Sequence, residues 1–236
     1  MCVILMNNIP TGCGVIDRVL GGGISPERIS LIYGEPETGK TTLAIQCAVN
    51  CAIQGYKTLF VDCDGTFSAS RLSQIASEKF KKIAELIILV RPNDFREQTA
   101  LIDHLGEYVS KNFGLIVVDT FTSLYRLRVA ESSERTFELN RELNRQIALL
   151  AQVAKTQKIA VLITSQVRSV FNEAHVSVEP VATRVLKFWA NTIIAMKPTE
   201  NTQVIRAVLE KAPKKVRPLS CLLKIEESGI HEYPIH

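Results

Sequence analysis

The chain contains Gly34-Glu35-Pro36-Glu37-Thr38-Gly39-Lys40-Thr41-Thr42, a match to the phosphate-binding pattern G-x-x-x-x-G-K-[ST]. An apolar segment at 29–33 that is typical of a buried strand precedes the match, and a helical segment begins at 43. In such a strand–loop–helix unit, backbone N–H groups point at phosphate oxygens and the helix N-terminus adds positive charge. The stretch therefore predicts a phosphate-binding loop in an α/β protein.

Two side chains of this loop have separate expected tasks. Lys40 is placed to reach the β- and γ-phosphates of a nucleotide, and the Thr41 hydroxyl is placed to bind Mg²⁺. The alternative is an ordinary glycine-containing turn, but a later strand that ends in an acidic residue favours the nucleotide site. The predicted nucleotide-binding residues of the loop are Gly34, Glu35, Pro36, Glu37, Thr38, Gly39, Lys40, Thr41 and Thr42.

Length and composition favour one domain that spans residues 1–236. Hydrophobic residues make up 46% and charged residues 22% of the chain, and no repeat or flexible linker marks a boundary. The net charge of +4 is compatible with nucleic-acid binding without demonstrating it. Six cysteines without C-x-x-C spacing argue against a zinc site and against disulfides, which predicts a reducing, cytoplasmic location. No segment approaches the length of a membrane span.

Apolar segments alternate with amphipathic ones over the first two thirds of the chain. Strands are predicted at 58–62, 86–90, 115–119 and 159–164, and helices at 69–80, at 94–111 and after 137. Strands that are apolar throughout and alternate with helices predict a mostly parallel sheet flanked by helices on both faces. Shorter apolar segments at 192–196, 204–209 and 221–225 predict an antiparallel C-terminal β extension of the same sheet.

Polar side chains follow the predicted strands at the edge where a parallel sheet binds its ligands. Asp119 ends an apolar strand and is predicted to bind Mg²⁺ together with Thr41. Asp62 and Asp64 follow another strand, and one of them is expected to activate the attacking water. Gln166 lies just beyond a third strand, where its amide could sense the terminal phosphate. The alternative for these residues is a cap or turn position without a functional role.

The order and spacing of several motifs resemble the RecA/RadA recombinase family and, within it, the archaeal RadB paralogues. Besides the phosphate loop, the similar segments are Ile9-Pro10-Thr11-Gly12-Cys13, Leu20-Gly21-Gly22-Gly23-Ile24, Val61-Asp62-Cys63-Asp64-Gly65-Thr66-Phe67, Val117-Val118-Asp119-Thr120 and Thr164-Ser165-Gln166-Val167. Segments at 188–194 and 208–211 are similar too, so the resemblance covers nearly the whole chain. It implies a RecA-type P-loop ATPase core, with ATP and Mg²⁺ as cofactors.

By this resemblance, Asp64 takes the place of the family's catalytic glutamate, and Arg71 that of an arginine that packs against adenine. The side chain of Asp64 is one methylene shorter than that of glutamate, and a misplacement of about 1 Å can slow a reaction by roughly 100-fold. The expected activity is therefore weak hydrolysis of ATP to ADP and phosphate, with Lys40, Asp64 and Gln166 as catalytic residues.

The resemblance also implies two DNA-facing loops, at 125–135 and at about 167–183. The predicted phosphate contacts are Arg126, Arg128, Arg135 and Arg168. Tyr125 or Phe171 is placed to stack on a base. The alternative is a pair of solvated loops, because acidic residues dilute the basic ones. The second loop lacks the family's double glycine after Pro180, so its backbone is more restricted and strand exchange is not expected.

Members of the family also carry a helical N-terminal DNA-binding domain and an F-x-x-A polymerisation segment. This sequence reaches the predicted core by Thr11, so we expect neither feature and at most weak homo-oligomers. The resulting hypothesis is a nucleoid-associated ATP-binding protein that binds single-stranded or branched DNA and assists the main recombinase, with a junction nuclease as a further partner. Two alternatives stay open: a nucleotide-switched protein adaptor without a direct DNA role, and a KaiC-like ring-forming regulatory ATPase.

Overall fold

A nine-stranded sheet joins segments from residue 29 to residue 232 of the chain. The structure is a computed structural model that describes residues 6–172, 175–180, 182–213 and 219–233, without the side chains of 168–180 and 183. The strands are β1 (Ile29–Gly34), β2 (Lys57–Asp62), β3 (Ile87–Val90), β4 (Phe113–Asp119), β5 (Ala160–Ser165), β6 (Val167–Asn172), β7 (His175–Pro180), β8 (Thr192–Pro198), β9 (Val204–Lys211), β10 (Leu219–Glu226) and β11 (Gly229–Glu232). The helices are α1 (Gly14–Leu20), α2 (Lys40–Ile53), α3 (Ala69–Ala76), α4 (Phe80–Ala84), α5 (Phe95–Asp103), α6 (Leu105–Tyr108), α7 (Ser123–Glu131), α8 (Thr136–Gln157) and α9 (Thr183–Trp189).

The strand order of the large sheet is β11-β10-β9-β8-β1-β5-β4-β2-β3, and β6 and β7 form a separate hairpin. The six strands from β8 to β3 in this order pair in parallel, and β9, β10 and β11 add on in antiparallel orientation. This arrangement confirms the predicted RecA-type α/β fold with its antiparallel extension. The segment at 192–196 was predicted to belong to the antiparallel extension, and this prediction is wrong. It forms β8, which pairs in parallel with β1 and so belongs to the parallel part of the sheet. The unpredicted helix α9 precedes β8 and returns the chain along the sheet, which makes this parallel pairing possible.

Helices cover the parallel strands on both faces, and each face has its own hydrophobic core. One core lies under α5 to α9 and includes Phe121, Leu143 and Ile163. The other lies under α1 to α4 and includes Leu43 and Phe60. The central strands β1, β4 and β5 are buried along their whole length, as their continuous apolar sequence predicts. Among the described helices, none combines the length and apolar character that a membrane span requires.

Several predicted boundaries differ from those observed. Asp94 caps α5 as expected, because its carboxylate accepts hydrogen bonds from the N–H groups of Arg96 and Glu97, both at 2.8 Å. The predicted helix at 94–111 is interrupted at His104 and ends at Tyr108. The one predicted at 69–80 ends at Ala76 and continues through a 3₁₀ turn into α4. The short strand β11 was not predicted from the sequence.

Gln46 connects the helix after the phosphate loop to both the N-terminal and the C-terminal segments. Its side-chain amide nitrogen donates to the carbonyl oxygens of Thr11 at 2.8 Å and Ile230 at 3.0 Å, and its oxygen accepts from the N–H of Ile230 at 2.7 Å. A Cβ atom added at Gly12 or Gly229 would lie 2.1 or 2.3 Å from this amide, and the φ angles of +84° and +128° at these positions also favour glycine. The contacts hold β11 against the middle of α2.

Candidate nucleotide-binding site

The phosphate loop leaves β1 at Gly34 and enters α2 at Lys40. A Cβ atom at Gly34 would lie 2.2 Å from the carbonyl oxygen of Met196, so the loop begins at a point where β8 approaches too closely for any side chain. Gly39 forms the N-cap of α2 with a φ of +84°, a conformation that favours glycine. The loop therefore has the backbone geometry that directs N–H groups toward a bound anion.

Lys40 is almost completely buried in this loop, with 8% of its surface exposed. Its Nζ donates a hydrogen bond to the carbonyl oxygen of Glu35 at 2.6 Å. Burial lowers the pKa of Lys40, while the carboxylates of Asp119, Asp64 and Glu35 oppose that shift by stabilising the ammonium. The cation is thus held beside acidic groups and bonded to a single carbonyl, which a phosphate oxygen can replace.

Asp119 ends β4 and is fully buried. One carboxylate oxygen, Oδ1, accepts a hydrogen bond from the Thr164 hydroxyl, whereas Oδ2 has no partner within the described residues. Burial raises the pKa of Asp119, the Thr164 and Thr41 side chains lower it, and the charges of Asp64 and Asp62 raise it further. A buried carboxylate oxygen without a donor is costly unless a cation meets it. Together with the Thr41 hydroxyl, Oδ2 fits a hard cation such as Mg²⁺.

The two acidic candidates after β2 have different surroundings. Asp62 is buried and engaged, because it accepts from Arg91 Nε at 2.8 Å and from the N–H groups of Thr66 at 3.0 Å and Phe67 at 3.2 Å. Asp64 is only partly buried, and its charge acts on both Lys40 and Asp119. Of the two, Asp64 therefore stays the candidate base, because the carboxylate of Asp62 already has three donors.

Arg71 lies in the first turn of α3 and reaches the turn between β10 and β11. Its Nη1 donates to the carbonyl oxygen of Glu227 at 3.1 Å and to Gln74 Oε1 at 3.2 Å. Burial lowers the pKa of Arg71, and the charge of Glu227 raises it. The guanidinium thus ties the C-terminal hairpin to the side of the nucleotide site.

Ile225 is a site residue that sequence reasoning missed. It lines a cavity of about 250 Å³ together with Gly39, Lys40, Thr41 and other loop residues. Its Cδ1 atom would lie 3.1 Å from a Cβ added at Gly39. No local signal marked it, because an apolar residue on a strand far along the chain reads as ordinary core.

Comparison with known proteins agrees with this geometry. The family model described as Rad51 matches residues 4–233. This chain belongs to the Rad51 family. It is 33% identical over 228 residues to the DNA repair and recombination protein RadB of Methanobrevibacter smithii, covering 95% of each chain. It is also 33% identical over 220 residues to RadB of Methanococcoides burtonii, covering 93% of this chain and 96% of that one.

A solved relative extends the match to three dimensions. The crystal structure of the RadB recombinase superposes with a TM-score of 0.82 at 32% identity, covering 96% of this chain and all of that one. The predicted resemblance to the RecA/RadA recombinases and their archaeal RadB paralogues is confirmed. This Rad51-family chain therefore shares its fold with the solved RadB recombinase over nearly its whole length.

The first predicted DNA-facing loop is mostly helical in this Rad51-family chain. Residues 125–135 fall in α7 and in a following 3₁₀ turn, because Leu124 and Tyr125 bury one side of this segment. Tyr125 donates its hydroxyl hydrogen to Asn140 Oδ1 at 2.8 Å and packs edge-on against Phe95, with ring centres 6.0 Å apart. These contacts leave Tyr125, one of the two residues predicted to stack on a base, buried with 7% of its surface exposed.

The predicted DNA-contacting arginines have different environments. Arg126 is exposed, and its Nη1 donates to Oε1 of Gln166. Arg128 pairs with Glu131 at 3.0 Å, and Arg135 with Glu138 at 2.8 Å. The structure thus brings Arg126 and Gln166 together. Arg128 and Arg135 each pair with a glutamate three residues further along the chain.

The second predicted loop contains the hairpin β6–β7. Arg168 lies on β6, opposite Glu179 of β7 in the strand register. The side chains of Arg168 and Phe171 lie outside the described residues. The observed backbone is thus paired strand over most of the segment that was expected to be a loop.

Proposed function

We propose that this protein binds ATP with Mg²⁺, hydrolyses it slowly, binds single-stranded or branched DNA and assists the main recombinase in homologous recombination and repair. The observation that carries the proposal is the grouping of the buried Lys40 ammonium, the Thr41 hydroxyl and the buried Asp119 carboxylate at one phosphate loop. Family membership supplies the link to recombination.

In the bound state, N–H groups of residues 34–42 would donate to the phosphates, and Lys40 would exchange the Glu35 carbonyl for a phosphate oxygen. Thr41 and Asp119 would hold the metal, which supplies positive charge to the phosphate oxygens when bound. Arg71 would lie against the base. These tasks account for the buried charges around the loop, since each would gain a partner of opposite charge.

Hydrolysis needs a base and a sensor for the terminal phosphate. Asp64 would accept the proton of the attacking water, from a carboxylate one methylene short of the family's glutamate. Gln166 would respond to the terminal phosphate at the end of β5. Because the Asp64 side chain is one methylene short, we expect slow turnover rather than none. Positioning of the phosphates and neutralisation of their charge provide most of the rate acceleration in phosphoryl transfer.

DNA would contact the segment that carries Arg126, Arg128 and Arg135, with Arg168 on the neighbouring hairpin. The Arg128 and Arg135 ion pairs lie at the protein surface, where such pairs contribute about 0–1 kcal/mol. A nucleic-acid phosphate can therefore displace the paired glutamates at little cost. The single domain at 1–236, the contact with the main recombinase or a junction nuclease, and weak self-association belong to the same proposal.

A nucleotide-switched protein adaptor is the second candidate. The observation that favours it is the pairing of Arg128 and Arg135 with acidic residues, which leaves less net positive charge for DNA. In that case, ATP would alter only the contacts with protein partners.

Titrations with nucleotide and DNA separate these functions. Calorimetric titration with ATP and Mg²⁺ should give binding in the parent and in Lys79→Ala, an exposed control, but not in Lys40→Ala. Labelled single-stranded DNA should then be titrated at low salt with ATP present. If the parent protein gives heat of ATP binding but does not bind DNA, the adaptor is favoured. If the parent protein gives no heat with ATP and Mg²⁺, the nucleotide site itself is contradicted.

A further inference from the structure

The antiparallel extension of the sheet has one covered face and one open face. On the covered face, Ile205, Leu223 and Ile230 are buried in the core under α1 to α4. On the other side of the sheet, α8 packs on β1 and β5, and α9 packs on β1 and on β7 of the hairpin. Near the end of β8 and along β9, this open face presents Lys197 and Arg206, both exposed.

The strand register places four residues in one row across the open face. Lys197 lies directly opposite Arg206, and Arg206 directly opposite Leu222. The N–H of Tyr233 donates to the carbonyl oxygen of Leu222 at 2.9 Å, which adds Tyr233 to the row. Neighbouring strands are about 4.8 Å apart, so the row spans roughly 14 Å. We call these four residues the cationic shelf.

The shelf lines a cavity with a volume of about 640 Å³. Volumes of roughly 300–1,000 Å³ are typical of ligand sites. Lys197 and Arg206 contribute the cations, Leu222 an apolar floor and Tyr233, with 40% of its surface exposed, an aromatic wall. Asn201 adds an amide, and Glu200 is the acidic residue of this lining.

Neither cation of the shelf has a partner among the described residues. Lys197 and Arg206 form no hydrogen bond or ion pair there, whereas nearby Lys224 is paired with Glu226 at 2.7 Å. Like charges directly opposite each other on antiparallel strands repel and are destabilising. An anion bound between them would remove that repulsion, and no acidic side chain of the described residues pairs with either cation, Glu200 in the cavity lining included.

We propose that the cationic shelf binds a single strand of nucleic acid, with Lys197 and Arg206 on two backbone phosphates and a base stacked on Tyr233. Cations that follow the backbone beside an aromatic ring are the usual basis of strand binding without sequence preference. An acidic peptide would use the cations but not the exposed ring. The inference goes beyond the proposed function, which assigns DNA contacts to α7, the turn after it and β6.

The position of the shelf relates it to the nucleotide site. The turn after β8 and the first residue of β9, at 199–204, form one wall of the shelf cavity and also one wall of a smaller cavity of about 130 Å³. Pro36, Glu37 and Thr38 of the phosphate loop form part of the other wall of that smaller cavity. A strand on the shelf would therefore lie one turn away from the phosphate loop.

The test is binding of a 20-nucleotide oligo(dT) to the full chain over a salt series. Each phosphate contact contributes about 0.7 to the slope of log affinity against log salt, so Lys197→Gln/Arg206→Gln should lower the slope by about 1.4. Tyr233→Leu should weaken binding by about fivefold or more through lost stacking. The matched control is Lys79→Gln/Lys82→Gln, two exposed lysines outside the shelf, which should leave the affinity within twofold of the parent.

Cross-linking gives an independent readout. Oligo(dT) that carries 5-iodouracil should form an adduct on Tyr233 after irradiation, identified by peptide mass. Suppose that the parent binds DNA, that Lys197→Gln/Arg206→Gln, the shelf variant, has the same salt slope as the parent, and that Tyr233 carries no adduct. The shelf is then not a strand site, while the proposed DNA function survives. If the shelf variant loses binding to poly-glutamate but not to oligo(dT), the surface recognises acidic protein and the inference is overturned. Absence of any oligo(dT) binding by the parent would contradict both proposals.

Discussion

Arg126 donates a hydrogen bond from Nη1 to Oε1 of Gln166, two residues that are 40 positions apart in the sequence. Arg126 is a candidate DNA contact, and Gln166 is the candidate sensor of the terminal phosphate. One amide oxygen therefore links the two proposed sites. If ATP draws Gln166 toward its terminal phosphate, Arg126 is released toward solvent and DNA.

Replacement of Gln166 by methionine should remove the dependence of DNA binding on ATP. Methionine keeps the length of the side chain but cannot accept a strong hydrogen bond from Arg126 or reach a phosphate as a donor. Couplings between ligand sites are typically about 5- to 150-fold, and we expect the ratio of DNA affinities with and without ATP to fall close to one. Fluorescence anisotropy with a labelled oligonucleotide measures this ratio.

The control for this prediction is Gln152→Met on the exposed side of α8, which should keep the parent ratio. An unchanged ATP effect in Gln166→Met would show that the amide does not connect the two sites. A parent protein that shows no ATP effect would contradict the coupling as well.

Asp119→Asn should stabilise the ligand-free protein and abolish the stabilisation by ATP with Mg²⁺. Burial raises the pKa of Asp119, so the folded state prefers the protonated form, and its stability falls as pH rises through the folded-state pKa. Asparagine removes the buried charge but also its attraction to the Lys40 ammonium, so the free energy of unfolding at pH 7 should rise by about 1 kcal/mol, the low end for a buried group that lacks a partner. It should also flatten the loss of stability between acidic and neutral pH.

Thermal unfolding from pH 5 to 8, with and without ATP and Mg²⁺, measures both effects. Glu78→Gln, at an exposed position on the 3₁₀ turn after α3, is the matched control and should behave like the parent. A lower melting temperature of ligand-free Asp119→Asn at neutral pH would contradict the account of an unpaired buried carboxylate.

Asp64→Glu should raise the rate of ATP hydrolysis. The added methylene moves the carboxylate by about 1 Å, and errors of that size in a catalytic group cost roughly 100-fold. We expect an increase of up to that factor in kcat, with little change in the affinity for ATP. Phosphate release under saturating ATP measures the rate, and Asp64→Asn should lower it. Equal turnover in all three proteins would exclude Asp64 as the limiting base.

Arg91→Met should destabilise the protein through its effect on Asp62. The Asp62 side chain is fully buried while half of the Arg91 side chain is exposed, so the substitution leaves a buried carboxylate without its cation. Two backbone N–H groups still bind Asp62, so we expect a loss of about 2–3 kcal/mol, below the usual 3–5 kcal/mol for a broken buried pair. Urea unfolding measures the loss.

Arg18→Met provides the comparison, because Arg18 and Glu232 form an exposed pair at 3.9 Å that should contribute less than about 0.5 kcal/mol. A similar small loss in both variants would show that Asp62 does not depend on Arg91. Full recovery of stability in Arg91→Met/Asp62→Asn would support the buried charge as the cause.

The phosphate loop was predictable because all its parts are contiguous in the chain. Local steric and hydrogen-bonding rules apply to nine successive residues, and the glycine positions match the observed backbone. The same holds for Asp119, since an apolar run that ends in an acid marks the carboxyl end of a buried strand. Alternation of strands and helices was sufficient for the parallel sheet.

The remaining features depend on residues that are far apart in sequence. Asp62 and Asp64 are equivalent in the local pattern, and the contact with Arg91 separates a structural carboxylate from a candidate base. The loop at 125–135 becomes helical because Tyr125 finds Phe95 and Asn140. Ile225 meets Gly39, and Lys197 faces Arg206, through strand register alone. Side-chain burial and register arise from packing between distant segments, and no local pattern encodes which partner will be present.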